Sequence, residues 1–240
     1  MQKRFTLIAG LGLVAVLAAS CSSSPSTGSA STKALLTKSQ TAVTKAGSVH
    51  FVDVTKIGSK SETLTGDIGP TNSQEVLTVG GSIVLQVRLV QGTVYIETTA
   101  ASVLQSALSL SSTTATAMTG KWISLTSTDA PASSITQSLT VSAALGIYYP
   151  KPAAAVTLPT KTVSGVTVIP ITADSTPTTK TTETTTLFIA QSTTLPVTAT
   201  LSAKSGSTTE NKQAVFTQWG ETVTVIAPVG ATPYSSLAAG

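Results

Sequence analysis

Between Val49 and Glu97 five runs of alternating side chains are separated by four short breaks, each opening on a turn dipeptide. The runs are Val49–Ile57, Glu62–Ile68, Gln74–Val79, Ser82–Val90 and Thr93–Glu97, separated by Gly58-Ser59, Gly69-Pro70, Gly80-Gly81 and Gln91-Gly92. A period of two sends successive side chains to opposite faces of a strand. Breaks this short leave only antiparallel neighbours, because a parallel crossover takes roughly a dozen residues or more. In the fourth run Ile83, Leu85, Val87 and Leu89 share one face, while Gln86 and Arg88 share the other with Val84 and Val90. The pattern predicts a sheet with one apolar side and one mixed side.

Helical periods flank and interrupt these strands. Ala34, Leu35, Val43 and Ala46, with Thr and Lys between them, predict an amphipathic helix that stops at Gly47. Ala101–Leu110 and Pro131–Leu145 predict two more, the second with Pro131 at its start and Ile135, Leu139 and Ala143 spaced by four. Trp122–Leu125 is a short strand between them. A second antiparallel series is expected over Gly165–Thr172, Glu183–Ala190, Pro196–Ala203, Thr209–Thr217 and Thr222–Ala227, interrupted by a threonine-rich turn, Pro177–Thr182. Threonine is β-branched and polar, which suits the solvent side of strands. Ser/Thr-rich tracts with proline are also O-glycosylation targets, and Pro177–Thr186 fits that description as well as an exposed hairpin.

Composition removes whole classes of function. Only 10% of residues are charged, against roughly 25% in ordinary soluble domains. Arg4 and Arg88 are the only arginines, and no run of basic residues exists beyond Lys3-Arg4. A nucleic-acid partner needs clustered cations and is excluded on that ground. Catalysis is not expected: His50 is the only histidine, no Gly-x-Ser-x-Gly elbow surrounds a serine, and no phosphate loop is present. Asp53, Asp67, Asp129 and Asp174 include no close pair, so neither a metal nor a cofactor is expected. Trp122 and Trp219 read as packing residues. Tyr148-Tyr149 before Pro150 reads as a helix cap, with stacking on a sugar as the other possibility.

The first twenty residues read as an export signal. Lys3-Arg4 supplies the positive start and Phe5–Ala19 an uncharged apolar stretch, shorter than the ~20 residues of a stable membrane span. Leu17-Ala18-Ala19-Ser20 then stops on Cys21, the only cysteine, which has no partner for an internal disulfide. This order resembles the bacterial lipoprotein signal, although Ala18 stands where Leu, Val or Ile is usual. The resemblance implies acylation of Cys21 and a location on the extracytoplasmic face of the cell membrane. Residues 22–32 read as a flexible tether with a reach on the order of 18 Å, followed by a single domain over 33–240. Without Lys3 and Arg4 the formal excess falls from +4 to two positive charges.

Gly92-Thr93-Val94-Tyr95-Ile96, Gly120-Lys121-Trp122-Ile123, Leu187-Phe188-Ile189, Leu195-Pro196-Val197 and Phe216-Thr217-Gln218-Trp219-Gly220 before Ala227-Pro228 occur in a characteristic order. In that order and spacing the chain resembles the actinobacterial lipoproteins of the LppX and LprG group, related in fold to the carrier LolA. The resemblance implies an α+β fold: a strongly curved antiparallel sheet, or half-barrel, with helices packed in its concave side. It further implies an apolar cavity for a membrane lipid or glycolipid, exchanged with a membrane transporter. Ile83, Leu85, Val87, Leu89, Val94, Ile96, Val197 and Leu201 are its expected lining. The competing expectation is an envelope scaffold or adhesion lipoprotein whose outer surface binds a protein partner or cell-wall glycan.

Overall fold

The computed structural model describes residues 27–237. The export signal, Cys21 and the first residues of the expected tether lie outside the described residues. The chain opens with helix α1 (Thr27–Ala46), followed by strands β1 (Val49–Ile57), β2 (Lys60–Ile68), β3 (Asn72–Val79), β4 (Ser82–Val90) and β5 (Thr93–Thr98). Helices α2 (Ala101–Leu108) and α3 (Ser112–Met118), strand β6 (Ile123–Leu125), and helices α4 (Ala130–Ser138) and α5 (Val141–Gly146) come next. The second strand series is β7 (Val156–Thr157), β8 (Lys161–Val163), β9 (Val166–Thr178), β10 (Thr181–Ala190), β11 (Pro196–Ser205), β12 (Thr208–Thr217) and β13 (Thr232–Pro233).

All of these strands belong to one sheet in the order β13-β6-β5-β4-β3-β2-β1-β12-β11-β10-β9-β7, with β8 also pairing β9. Every pairing is antiparallel except β13 on β6. The two series meet where β12 returns to β1, in register from His50 opposite Thr217 to Ile57 opposite Glu210. The sheet remains open, and the protein is an α+β half-barrel with helices against its inner face.

Residues directly opposite one another across antiparallel strands share a face, so the register identifies the inner one. It carries Val49, Phe51 and Asp53 of β1, Leu64, Gly66 and Ile68 of β2, Val87 and Leu89 of β4, and Val94 and Ile96 of β5. On the other half it carries Leu187 of β10, Ala199 and Leu201 of β11, and Ala214 and Phe216 of β12. These residues join Leu104 and Leu108 of α2, Ala115 and Met118 of α3, Ile135 of α4 and Leu145 of α5 in one continuous core. Gly66 is required there, because a Cβ at that position would collide with the ring of Phe51, 2.6 Å from its Cζ.

Several expectations change in detail. Helix α1 begins at Thr27, so the last part of the segment read as a tether is helical, and Thr32 is buried with its hydroxyl 2.7 Å from that of Thr157. The buried stripe of α1 is Thr32, Leu36, Ser39 and Val43, whereas Ala34 is exposed. Two hydroxyl residues occupy core-facing positions and hide the true face from a hydropathy reading. The helix expected over Pro131–Leu145 is two helices. Thr140 breaks it, its hydroxyl accepting from the amide of Ala143 to cap α5. Helix α3, capped by Ser111, was hidden by its Ser/Thr-rich sequence. Thr222–Ala227 joins no strand ladder. It belongs to a strap that leaves β12, crosses the ends of the first strands and reaches β6, where the Thr232 amide donates to Trp122 O.

Candidate functional site

The register gathers five of the eight apolar residues expected to line a cavity. Val87 and Leu89 of β4 lie opposite Ile96 and Val94 of β5, and all four are buried against the helices. Leu85 is half-buried beside them. Ile83 does not join them: Leu77 pairs with Leu85 and Thr78 with Ile83, so Val84 is an extra residue, and Ile83 is 51% exposed. A bulge of this kind shifts the alternation that the sequence pattern extrapolates. Val197 lies beside a second irregularity, between Phe188 and Ile189 of the partner strand, and is outside the buried cluster. Leu201 is buried on the other half of the sheet, away from the β4–β5 group.

Leu201 forms the floor of a recess of about 280 Å³, together with Ala203 and a wall supplied by Ile147 just after α5. Its rim is polar: Glu183 of β10 and Glu210 and Lys212 of β12, with Lys212 Nζ 3.7 Å from Glu210. The recess lies on the inner face at the hairpin end of β10, β11 and β12, where the helices stop covering the sheet.

Polar groups on the inner face sit deeper than the rim. Tyr148 is buried, donates to Asp53 Oδ2 at 2.7 Å and meets Phe216 edge-on at 6.0 Å between ring centres. Burial and the adjoining Asp53 carboxylate push the Tyr148 phenol well above its ordinary range. Tyr149 shares a 3.0 Å hydrogen bond with Ser39 of α1. Tyr148 thus ties the segment after α5 to the sheet, and Tyr149 ties it to α1. Glu75 lies between Gly66 and Val87 on the inner face, and burial pushes its carboxyl up to about 7. Sequence reasoning passed over Glu75, Glu183 and Glu210. Their strand parity was available, but which parity faces inward at those positions depends on the register.

A second recess, about 220 Å³, lies between the strap and the outer face, lined by His50, Asp67, Glu221, Thr222 and Val223 among others. His50 Nδ1 is 2.6 Å from Asp67 Oδ1, and Gln74 Nε2 donates to Asp67 Oδ2 at 2.8 Å. Burial alone would raise the Asp67 carboxyl, but the bonds from Gln74 and His50 outweigh it and hold it below its ordinary value. Arg88, on the outer face, donates to Ile226 O at 3.0 Å and stacks 4.8 Å from the centre of the Trp122 ring. Trp219 donates to Pro196 O and packs toward Phe216. Among the described residues no group of three or more His, Cys, Asp or Glu is placed to hold a metal ion. No helix among them is long and apolar enough to cross a membrane.

No family model matches the chain, and no curated protein matches it. Among solved structures it is similar to MucB, at 17% identity over 89% of this chain and 64% of that one, with a TM-score of 0.40. The Pseudomonas aeruginosa MucA/MucB complex gives 14% identity over 83% and 59%, TM-score 0.36. The chain thus spans less than two thirds of these MucB chains. A LolA superfamily protein from Nitrosomonas europaea gives 10% identity over 80% and 94%, TM-score 0.30. A DUF1329 family protein from Desulfovibrio piger gives 7% over 82% and 95%, TM-score 0.32. These likenesses are too distant to assign a residue or a ligand, so the site rests on its own geometry.

Proposed function

We propose that this chain is an envelope lipoprotein that binds or ferries a lipid or glycolipid on the concave face of its half-barrel, without chemical turnover. Acylated Cys21 holds it at the extracytoplasmic face of the cell membrane, and a membrane transporter is the natural source or destination of the cargo. One observation carries the reading: a broad apolar inner face is covered by α1 and by four short uncharged helices, α2 to α5, and opens at a mouth floored by Leu201 and Ala203. Helices of six to nine residues are marginal on their own and owe their place to packing. They can therefore shift to admit an acyl chain. The recess of about 280 Å³ is slightly below the ~300–1,000 Å³ of typical ligand pockets, so full uptake requires that movement. Each methylene buried contributes about 0.8 kcal/mol, enough for a long chain to bind without a charged contact.

The filled core under α2 and α4, where Leu104 and Leu108 are fully buried, favours the second reading of a scaffold that acts through its outer surface. Native mass spectrometry of the domain purified without Cys21 separates the two. A bound lipid supports the carrier. The check is Ala203→Trp, which fills the recess from a half-buried position: uptake of a fluorescent fatty acid should fall severalfold while the unfolding midpoint stays close to the parent's. Undiminished uptake would remove the mouth from the reading, and a protein free of lipid that takes up none would favour the scaffold.

A further inference from the structure

Two groups of exposed apolar side chains lie toward opposite edges of the sheet. One is Ile226 and Val229 of the strap, near β4 and β6, and the other is Val156 and Leu158 at β7, the far edge strand. The second group sits in a segment of simple composition. From Lys151 to Lys161 the chain reads Lys-Pro-Ala-Ala-Ala-Val-Thr-Leu-Pro-Thr-Lys, and every residue of it except Ala155 is exposed. Pairing with β9 fixes its faces. Thr157, opposite Ile171, turns toward α1 and meets the Thr32 hydroxyl at 2.7 Å, so Val156 and Leu158 turn outward. The amide of Leu158 donates to Pro170 O at 2.8 Å, which holds the segment on the sheet.

Charge around this edge is mostly positive. No acidic residue occurs between Asp129 and Asp174, or in α1. Lys151 and Lys161 bound the segment, with the Lys161 ammonium 4.4 Å from the centre of the Phe188 ring, and Lys33 is exposed next to Thr32. Asp174 of β9 lies two positions past the partner of Val156 and accepts from the Thr184 hydroxyl at 2.6 Å. Exposed aliphatic side chains framed by lysines suit an anionic bilayer surface. The apolar groups enter the head-group region, and each lysine near the surface strengthens binding about fivefold.

The anchor distinguishes the two groups. Six chain steps separate Cys21 from Thr27, a reach of at most about 22 Å, and Thr32 follows about 7.5 Å further along α1. An acylated Cys21 therefore keeps the β7 edge within about 30 Å of the bilayer, whereas the strap runs from β12 to the opposite edge. We propose that Val156 and Leu158, with Lys33, Lys151 and Lys161, form a second membrane contact that lays the β7 edge of the domain on an anionic bilayer. The inference rests on the lipoprotein reading above and adds an orientation to it. The segment begins four residues after Ile147, a wall of the recess, so docking keeps the recess close to the membrane that supplies its cargo.

The test couples the mature chain through Cys21, its only cysteine, to a maleimide lipid in vesicles of phosphatidylglycerol and phosphatidylcholine in equal parts. The anchor is then present whether or not a cell acylates it. Amide exchange of residues 151–161 should slow at least about threefold relative to the same chain free in solution, while residues 226–231 exchange as before. Vesicles of phosphatidylcholine alone should give a much smaller slowing. Val156→Asp with Leu158→Asp, at exposed positions, should remove the slowing without moving the unfolding midpoint. Lys33→Glu with Lys151→Glu, which alters no packed residue, is the second variant and should weaken it. Unchanged exchange over 151–161, slowing that survives both pairs of substitutions, equal slowing on the two kinds of vesicle, or slowing at 226–231 in its place overturns the contact. The intact mass of the chain purified from native membranes tests the acylation itself, so a failed anchor and a failed contact are told apart.

Discussion

Tyr148 donates its hydroxyl to Asp53 Oδ2 at 2.7 Å, so the residue that follows α5 is tied to the inner face of β1 across 95 positions of sequence. The bond supplies a buried carboxylate with a donor and at the same time anchors the end of the helical cover over the sheet. Tyr148→Phe keeps the ring and its edge-on contact with Phe216 but removes that donor. The expected loss is about 1–3 kcal/mol, the cost of a buried polar group deprived of a partner. Urea unfolding of the two proteins measures it. A difference below about 0.5 kcal/mol would show that Asp53 does not depend on this bond.

Gly66 and Phe51 make a steric prediction. Any side chain at position 66 has to displace the Phe51 ring, which has little room in the core. Gly66→Ala should cost roughly 1–3 kcal/mol by overpacking. The double variant with Phe51→Leu should recover part of that, because the smaller side chain vacates the colliding volume. Additive losses in a double-mutant cycle would refute the contact.

Arg88 holds the strap through Ile226 O and Trp122. Arg88→Ala should change global stability by less than about 1 kcal/mol, as expected of a largely exposed charged contact. Amide exchange of residues 222–231 should rise, since local opening needs only the loss of local ties. Unchanged exchange there would mean that Asn72, which donates to Val223 O, and the packing of Val223 against Gly69 hold the strap without Arg88.

Glu75 sets a pH dependence. The folded carboxyl keeps its proton up to about pH 7, whereas the unfolded one loses it near its ordinary 4.5. The unfolded state therefore binds fewer protons between these values, and stability falls as pH rises through that window. Below it both states are protonated and the penalty vanishes. Glu75→Gln should match the parent near pH 4 and exceed it near pH 8 by about 1–3 kcal/mol, since a tenfold difference in proton affinity between the two states is worth about 1.4 kcal/mol. Equal stability of the two at pH 8 would show that Glu75 is hydrated.

Much of the local structure was legible in the sequence. The two-residue glycine breaks and the alternation of Leu85, Val87 and Leu89 suffice for the β1–β5 meander and for its buried face, because turn geometry and side-chain period act over a few residues. The same locality explains the misses. Nothing near Ile83 announces the bulge at Val84. Nothing in the helix marks Thr32 and Ser39 as core positions, since their hydroxyls find acceptors or donors on distant residues, Thr157 and Tyr149.

The sequence by itself determined two antiparallel series, the presence of helix between them and an apolar face on the first. Tertiary structure alone decided that β12 returns to β1, making one open sheet instead of two. It also decided that the acidic residues Glu75 of β3, Glu183 of β10 and Glu210 of β12 face inward, and that Thr222–Ala227 is drawn across the strand ends by Arg88 and Asn72. The physical reason is the range of the forces. Periodicity and turn residues state which side chains share a face, whereas the side that becomes the interior is settled by the apolar area that distant strands and helices remove from water together.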